Sequence, residues 1–218
     1  MRNPRAEEKL TSIRNTQVPY VLRRGDIHLT ITKNVYPTSE LSELLVDVMD
    51  DSELGIKKGN TVLDYGSGTG FLALQAAKRG ANVIAIDINK DAITCGQLNA
   101  RDLHLKNKIS FRCGVNLSPL KPYETFDIIF AGMPWDNEDV SDMLERSVYD
   151  PGFQMRRALF ESAEKILKPK GRIVMSSSEE QNHRYPHLHR YSHLDFRIIR
   201  ERNIKNALYY AVLVTLKT

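Results

Sequence analysis

Three glycines at alternate positions, Gly66, Gly68 and Gly70, follow a short apolar run, Thr61-Val62-Leu63-Asp64, in a chain of 218 residues. Lacking side chains, they let the backbone turn tightly and come close to a ligand. Asp64 stands just before the loop. Asp87 closes a second apolar run, 82–87, and lies 19 residues after Gly68. A carboxylate at that place can accept both hydroxyls of a ribose, or else cap the next helix. The spacing excludes two commoner nucleotide loops. A dinucleotide fingerprint needs glycine or alanine where this chain has Phe71, which argues against a nicotinamide dehydrogenase. A P-loop needs Lys-Ser or Lys-Thr after the glycines, and none is there.

A second group of reactive types follows another apolar run, 126–131: Gly132-Met133-Pro134-Trp135-Asp136-Asn137. The carbonyls of Gly132 and Met133 can accept hydrogen bonds. The Trp135 indole can stack on a planar group or face a cation. Asp136 is the nearest carboxylate able to take a proton, with a helix cap for 138–146 as its structural alternative. His183, His187, His189 and His193 cluster later. No carboxylate or cysteine pattern accompanies them, so no metal centre is expected, and a base role for one stays open.

These residues need a frame that brings distant segments together. Apolar runs at 61–64, 82–87, 109–112, 126–131 and 172–176 read as buried parallel strands. Helical patterns fall at about 71–79, with Gly80 as its left-handed cap, at about 90–103, and from Asp150-Pro151 through one apolar stripe to Leu167, ended by Pro169 and Gly171. Alternating strands and helices predict an α/β fold, a Rossmann-like doubly wound sheet that is mostly parallel. Residues 196–202 and 207–216 add an antiparallel C-terminal strand pair. Ligands of such sheets sit at the carboxyl ends of the strands, which would gather the glycine loop, Asp87, Asn116 and the 132–136 stretch. Upstream, 18–32 reads as a hairpin turning at Arg24-Gly25-Asp26, and Leu41, Leu44, Leu45 and Val48 form a helical face. The division expected is an N-terminal extension over 1–37 and one catalytic domain over 38–218.

Composition narrows the class. Hydrophobic residues make up 41% and charged residues 27%, the proportions of a globular domain. Two cysteines, Cys95 and Cys113, exclude a disulfide scaffold. No apolar run reaches the roughly 18 residues of a membrane span, and the charged N-terminus lacks a signal peptide's apolar core, so a soluble cytoplasmic protein without membrane contact is expected. Net charge is +4 from scattered basic residues. That permits nucleic-acid binding without favouring it.

VLDYGSGTGFLAL together with IDIN resembles the S-adenosyl-L-methionine-binding core of class I methyltransferases, over about residues 40–218. The resemblance implies that Gly66, Gly68 and Gly70 flank the methionine part of the cofactor. It further implies that Asp64 helps hold the amino group, that Asp87 binds the ribose and that Ile88 packs on the adenine. Family members often place an acid after the third strand near the adenine amino group; Val115 occupies that position here, and Asn116 is the substitute. KNVYPTSELSELLVDVM and YDPGFQMRRALFESAEKILKPKGRIVM are similar to the release-factor glutamine methyltransferase family in its compact form. There an Asn-Pro-Pro-aromatic motif grips an amide and aims its nitrogen at the methyl group. Here the Asn falls on Gly132, the first Pro on Met133, the second on Pro134 and the aromatic on Trp135. Gly132 has no side chain for that grip. The expected acceptor is therefore the nitrogen or oxygen of a small molecule. Methylation of a protein glutamine or nucleobase nitrogen, or a non-catalytic cofactor-binding partner subunit, are the alternatives.

Overall fold

The computed structural model describes residues 2–134, 136–178, 190–204 and 207–217. Trp135, His183, His187 and His189 therefore lie outside the described residues.

A seven-stranded sheet organises the chain. Its strands are β3 (Thr61–Tyr65), β4 (Asn82–Asp87), β5 (Ile109–Cys113), β6 (Phe126–Ala131), β7 (Leu167–Ser178), β8 (Leu194–Ile204) and β9 (Ala207–Leu216), in the spatial order β5-β4-β3-β6-β7-β9-β8. The first five pair in parallel, and β9 runs antiparallel to both β7 and β8. The doubly wound α/β frame with its antiparallel end is thus the one expected. The order in which the strands are added reverses between the parallel neighbours β3 and β6, so the ligand crevice belongs at the carboxyl ends of these two.

Both faces of the sheet are covered. Helices α2 (Glu40–Met49), α3 (Phe71–Lys78) and α4 (Lys90–Asp102) accompany one apolar cluster that includes Leu44, Leu45, Val62, Leu74, Ile128 and Val174. Leu63, Ile129, Leu159, Phe160 and Ile173 belong to the opposite cluster with α5 (Gln154–Glu161). Period-two alternation along β3 and β6 sends neighbouring residues to opposite clusters.

The N-terminal segment packs into this body. The hairpin of β1 (Tyr20–Arg24) and β2 (Ile27–Ile31) buries Ile27, Leu29 and Ile31 in the first cluster. Helix α1 (Pro4–Asn15) is capped by Asn3, whose side chain accepts from the Arg5 N–H, and sets Ala6 and Leu10 against Leu144, Val148 and Tyr149.

One helix weighed as an alternative and one expected helix differ. The stretch 138–146 is not an α-helix; only a 3-10 turn forms at Glu145–Ser147. Its polar side chains hold it otherwise: Asp142 accepts from the Glu145 N–H, and Glu145 accepts from the Ser141 N–H. The long helix from Asp150 to Leu167 is divided. Gly152 and Phe153 adopt left-handed conformations, α5 starts after them, and α6 (Ala163–Ile166) is a single turn. Leu167 pairs with Phe126 and opens β7, so Pro169 and Gly171 lie inside an irregular strand start rather than ending a helix.

Candidate active site

A cleft opens at the carboxyl ends of β3, β4 and β6, lined by Asp64, Gly66, Gly68, Asp87, Ile88, Asn116, Gly132 and Met133. Four segments distant in sequence meet there, as the sheet topology requires. Gly70 is buried just beneath, at the start of α3. With φ +79 it takes the left-handed conformation, and a Cβ there would press within 3.2 Å of Gly96 Cα and the Phe111 ring. Only glycine fits both demands.

Asp64 ends up almost sealed, with 2% of its surface exposed. Its carboxylate accepts from the Ala73 N–H at 2.9 Å, one of the free amides at the start of α3. Burial outweighs that bond and pushes the carboxyl up to about 7, with the Asp87 charge adding to the rise. Asp87 accepts from the Gly68 N–H at 2.8 Å with one oxygen and from the Asn89 N–H at 2.8 Å with the other. Its surroundings likewise raise its pKa above the usual carboxylate range, burial being the main cause. Asn89, not Asp87, caps α4, accepting from the Asp91 N–H. Asp87 therefore ties the glycine loop to the end of β4.

The residues fit the cationic methyl donor of the resembling family. Two carboxylates with raised pKa face one cleft, and their hydrogen-bond partners are backbone amides rather than side-chain cations. Ser67 Oγ, inside the loop and on the cleft wall, is buried with no hydrogen-bond partner among the described residues. A ligand bearing an ammonium and hydroxyl groups satisfies these sites.

The acceptor side is built differently. Met133 lines the cleft, and Gly132 is exposed there; a Cβ built on it meets nothing within 4 Å among the described residues. Asp136 does not line the cleft. Its side chain is buried, its carbonyl accepts from the Asp150 N–H at 2.8 Å, and its backbone bridges Tyr149. The chain leaving the acceptor motif thus loops out over 137–148 and returns beside it. Asp150, on the cleft wall, accepts from the Met155 and Arg156 N–H groups in the first turn of α5. Val115 is exposed, and Asn116 takes φ +49 on the wall.

Several cleft residues had no signature in the sequence. Tyr36, Ser39, Met143, Arg146 and Tyr149 reach the wall from the segment before α2 and from the 137–148 loop. Thr38, also on the wall, meets Thr69 of the glycine loop, hydroxyl to hydroxyl, at 2.5 Å. Glu145 is 3% exposed and ties the loop to α1: Arg2 donates to both its oxygens, at 3.1 and 2.9 Å, and Arg14 donates at 3.1 Å. His193 lies away from the cleft, its Nε2 at 3.1 Å from the Phe160 carbonyl. Among the described residues no helix is long and apolar enough to cross a membrane.

Residues 56–210 match the sequence model of a family described as a methyltransferase domain. The chain belongs to that family. It is a class I S-adenosylmethionine-dependent methyltransferase domain. Release factor glutamine methyltransferase of Rhodopirellula baltica is 29% identical over 138 residues, 61% of this chain and 46% of that one. Ubiquinone biosynthesis O-methyltransferase of Bradyrhizobium diazoefficiens is 32% identical over 119 residues, 55% of this chain and 40% of that one. The chain spans about half the length of the curated relatives it matches. In fold, the methyltransferase resembles the crystal structure of ribosomal protein L11 methylase from Lactobacillus delbrueckii subsp. bulgaricus, with a TM-score of 0.62 at 20% identity over 84% of this chain and 82% of that one.

Proposed function

We propose that the chain moves a methyl group from S-adenosyl-L-methionine to a nitrogen or oxygen atom of a small-molecule acceptor. Bound S-adenosyl-L-methionine supplies an electrophilic methyl group on sulfur. The chain supplies position and exclusion of water. In this reading the glycine loop approaches the methionine part, Asp64 receives its amino group, Asp87 the ribose hydroxyls, and Ile88 and Asn116 the adenine. The Met133 carbonyl and the Trp135 ring orient the acceptor. Asp136 contributes by closing the loop onto Tyr149, and Asp150 is the carboxylate on the cleft wall at that side.

The observation that carries the acceptor class is Gly132. The resembling family grips an amide with an asparagine at this position, and here a Cβ would meet nothing within 4 Å among the described residues. An amide nitrogen is a poor nucleophile and depends on that orientation. A ligand that itself occupies the space does not. The second reading, protein glutamine methylation, is favoured by the release factor glutamine methyltransferases among the relatives. Incubation with methyl-labelled cofactor separates them. Label in a low-molecular-weight extract supports the proposal. Label only on protein supports the second reading, and cofactor binding with no transfer to any fraction points to a partner subunit.

A further inference from the structure

Eight arginines are half-buried or buried among the described residues, and seven have an evident counterpart. Arg2 pairs with Glu145, Arg79 with Asp50, Arg112 with Glu124 and Arg202 with Asp47. Arg24 donates to the Thr38 carbonyl, Arg172 to the Leu54 carbonyl, and Arg156 lies over the Phe153 ring. Arg146 is the exception. It has neither hydrogen bond nor ion pair among the described residues, and it lines the cleft. Its acidic neighbour, Glu145, cannot neutralise it, because Arg2 and Arg14 already hold that carboxylate on the side facing α1.

Position gives this cation a direction. Arg146 belongs to the loop that leaves the acceptor motif and returns to it through the Asp136–Tyr149 bridge. The three aspartates on the wall accept from backbone amides: Asp64 from Ala73, Asp87 from Gly68 and Asn89, Asp150 from Met155 and Arg156. The cleft therefore has two carboxylates, Asp64 and Asp87, toward the glycine loop and a guanidinium on the acceptor-loop side, where the one carboxylate, Asp150, already accepts from backbone amides. A guanidinium partly withdrawn from water favours an anion from the ligand, because its planar donors match a carboxylate or phosphate.

We infer that Arg146 recognises a carboxylate or phosphate on the methyl acceptor, so that the substrate is a small acid. This rests on the small-molecule reading above and gives the substrate its charge. The carboxylate of the cofactor itself has the same chemistry, and the experiment separates the two sources.

The first arm measures S-adenosylhomocysteine and methylthioadenosine, which lacks the carboxylate, by calorimetry on the wild type and Arg146→Met. Both affinities are expected to stay within about twofold, as for a residue that does not touch the cofactor. Loss of S-adenosylhomocysteine binding with methylthioadenosine unchanged would assign Arg146 to the cofactor and overturn the inference. The second arm titrates protein saturated with S-adenosylhomocysteine with benzoate and phenyl phosphate, and with benzamide and phenol as neutral mates, by ligand-observed NMR. At least one anion should bind more tightly than its mate and lose about tenfold or more in Arg146→Met, the scale of a charge-assisted hydrogen bond. Arg146→Lys should keep part of the preference, and both variants should retain the wild-type melting temperature. Equal binding of anions and mates, or no loss in Arg146→Met, overturns the inference. Failure of the wild type to bind S-adenosylhomocysteine overturns the methyl-transfer reading itself, which the first arm detects separately.

Discussion

The Tyr149 hydroxyl donates to the Glu7 carboxylate at 2.7 Å, joining a residue of the cleft wall to the first helix. Beside it, Glu145 binds Arg2 and Arg14, and these bonds hold its carboxyl down to about 2. The acceptor loop is thus braced by residues more than a hundred positions upstream. A folded-state pKa below the unfolded one means that Glu145 stabilises the fold above about pH 4.5. That contribution disappears as pH falls toward about 2. Glu145→Ala should lower Tm by about 2–6 °C near neutrality, the scale of one or two charge-assisted hydrogen bonds in a chain of this size. Wild type and variant should converge in acid. Hydrogen exchange should accelerate over 137–149 while S-adenosylhomocysteine affinity stays within about twofold, because no cofactor-binding residue is touched. Unchanged exchange in that loop would show that α1 does not brace it.

Asp64 gives a pH prediction of opposite sign. Its folded pKa, pushed up to about 7, exceeds the unfolded value, so between about pH 4 and 7 the folded state holds more protons and this group lowers stability as pH rises. A bound ammonium favours the ionised form. S-adenosylhomocysteine affinity should therefore rise from pH 6 toward pH 8, roughly the interval around that pKa, with proton release on binding. Calorimetry in buffers of different ionisation enthalpy reads that release. Asp64→Asn should flatten the profile. A flat wild-type profile would remove Asp64 from the ammonium site.

Asp87→Ala should weaken S-adenosylhomocysteine binding by about 1.5–3 kcal/mol, the range for hydrogen bonds to a charged group. Part of the loss would come from the glycine loop, because the Gly68 and Asn89 amides lose their acceptor. Folding should survive, since α4 keeps its own Asn89 cap. Binding that is unchanged while stability collapses would make Asp87 structural.

The part of the cleft around the glycine loop was legible because its determinants are local. Each is a strand end followed by a turn: Asp64 and the three glycines after β3, Asp87 at the end of β4. The acceptor half was not. Arg146 and Tyr149 owe their places to contacts with α1, such as Arg14 with Glu145 and Glu7 with Tyr149, which no periodicity encodes. The apolar stripe ending at Leu167 looked helical because spacing cannot tell one helix from two short helices running into a strand. Left-handed Phe153 and the pairing of Leu167 with Phe126 decided it. Asp136 is chemical by type and proximity to the motif, yet its backbone closes the loop and its buried side chain is not among the residues that line the cleft.

Gly132→Asn is the substitution that separates the acceptor classes. Among the described residues a Cβ there meets nothing within 4 Å, and the backbone is not in the left-handed region that would strain a side chain. Folding and S-adenosylhomocysteine affinity should hold, since the residues proposed for the cofactor stand on β3, β4 and the turn after β5. The asparagine amide would project into the open space beside Met133. If that space belongs to a small acceptor, the new side chain displaces it, and misplacement by about 1 Å costs around a hundredfold in rate. Turnover on the small-molecule fraction should fall by that order with the cofactor constant unmoved. Should the acceptor instead be a glutamine amide, the change restores the grip of the resembling family, and protein labelling should hold or increase. Trp135→Ala serves as the companion variant, expected to abolish transfer and to spare cofactor binding. If both variants keep full activity, the acceptor does not sit between Gly132 and Trp135, and the small-molecule reading loses the observation on which it stands.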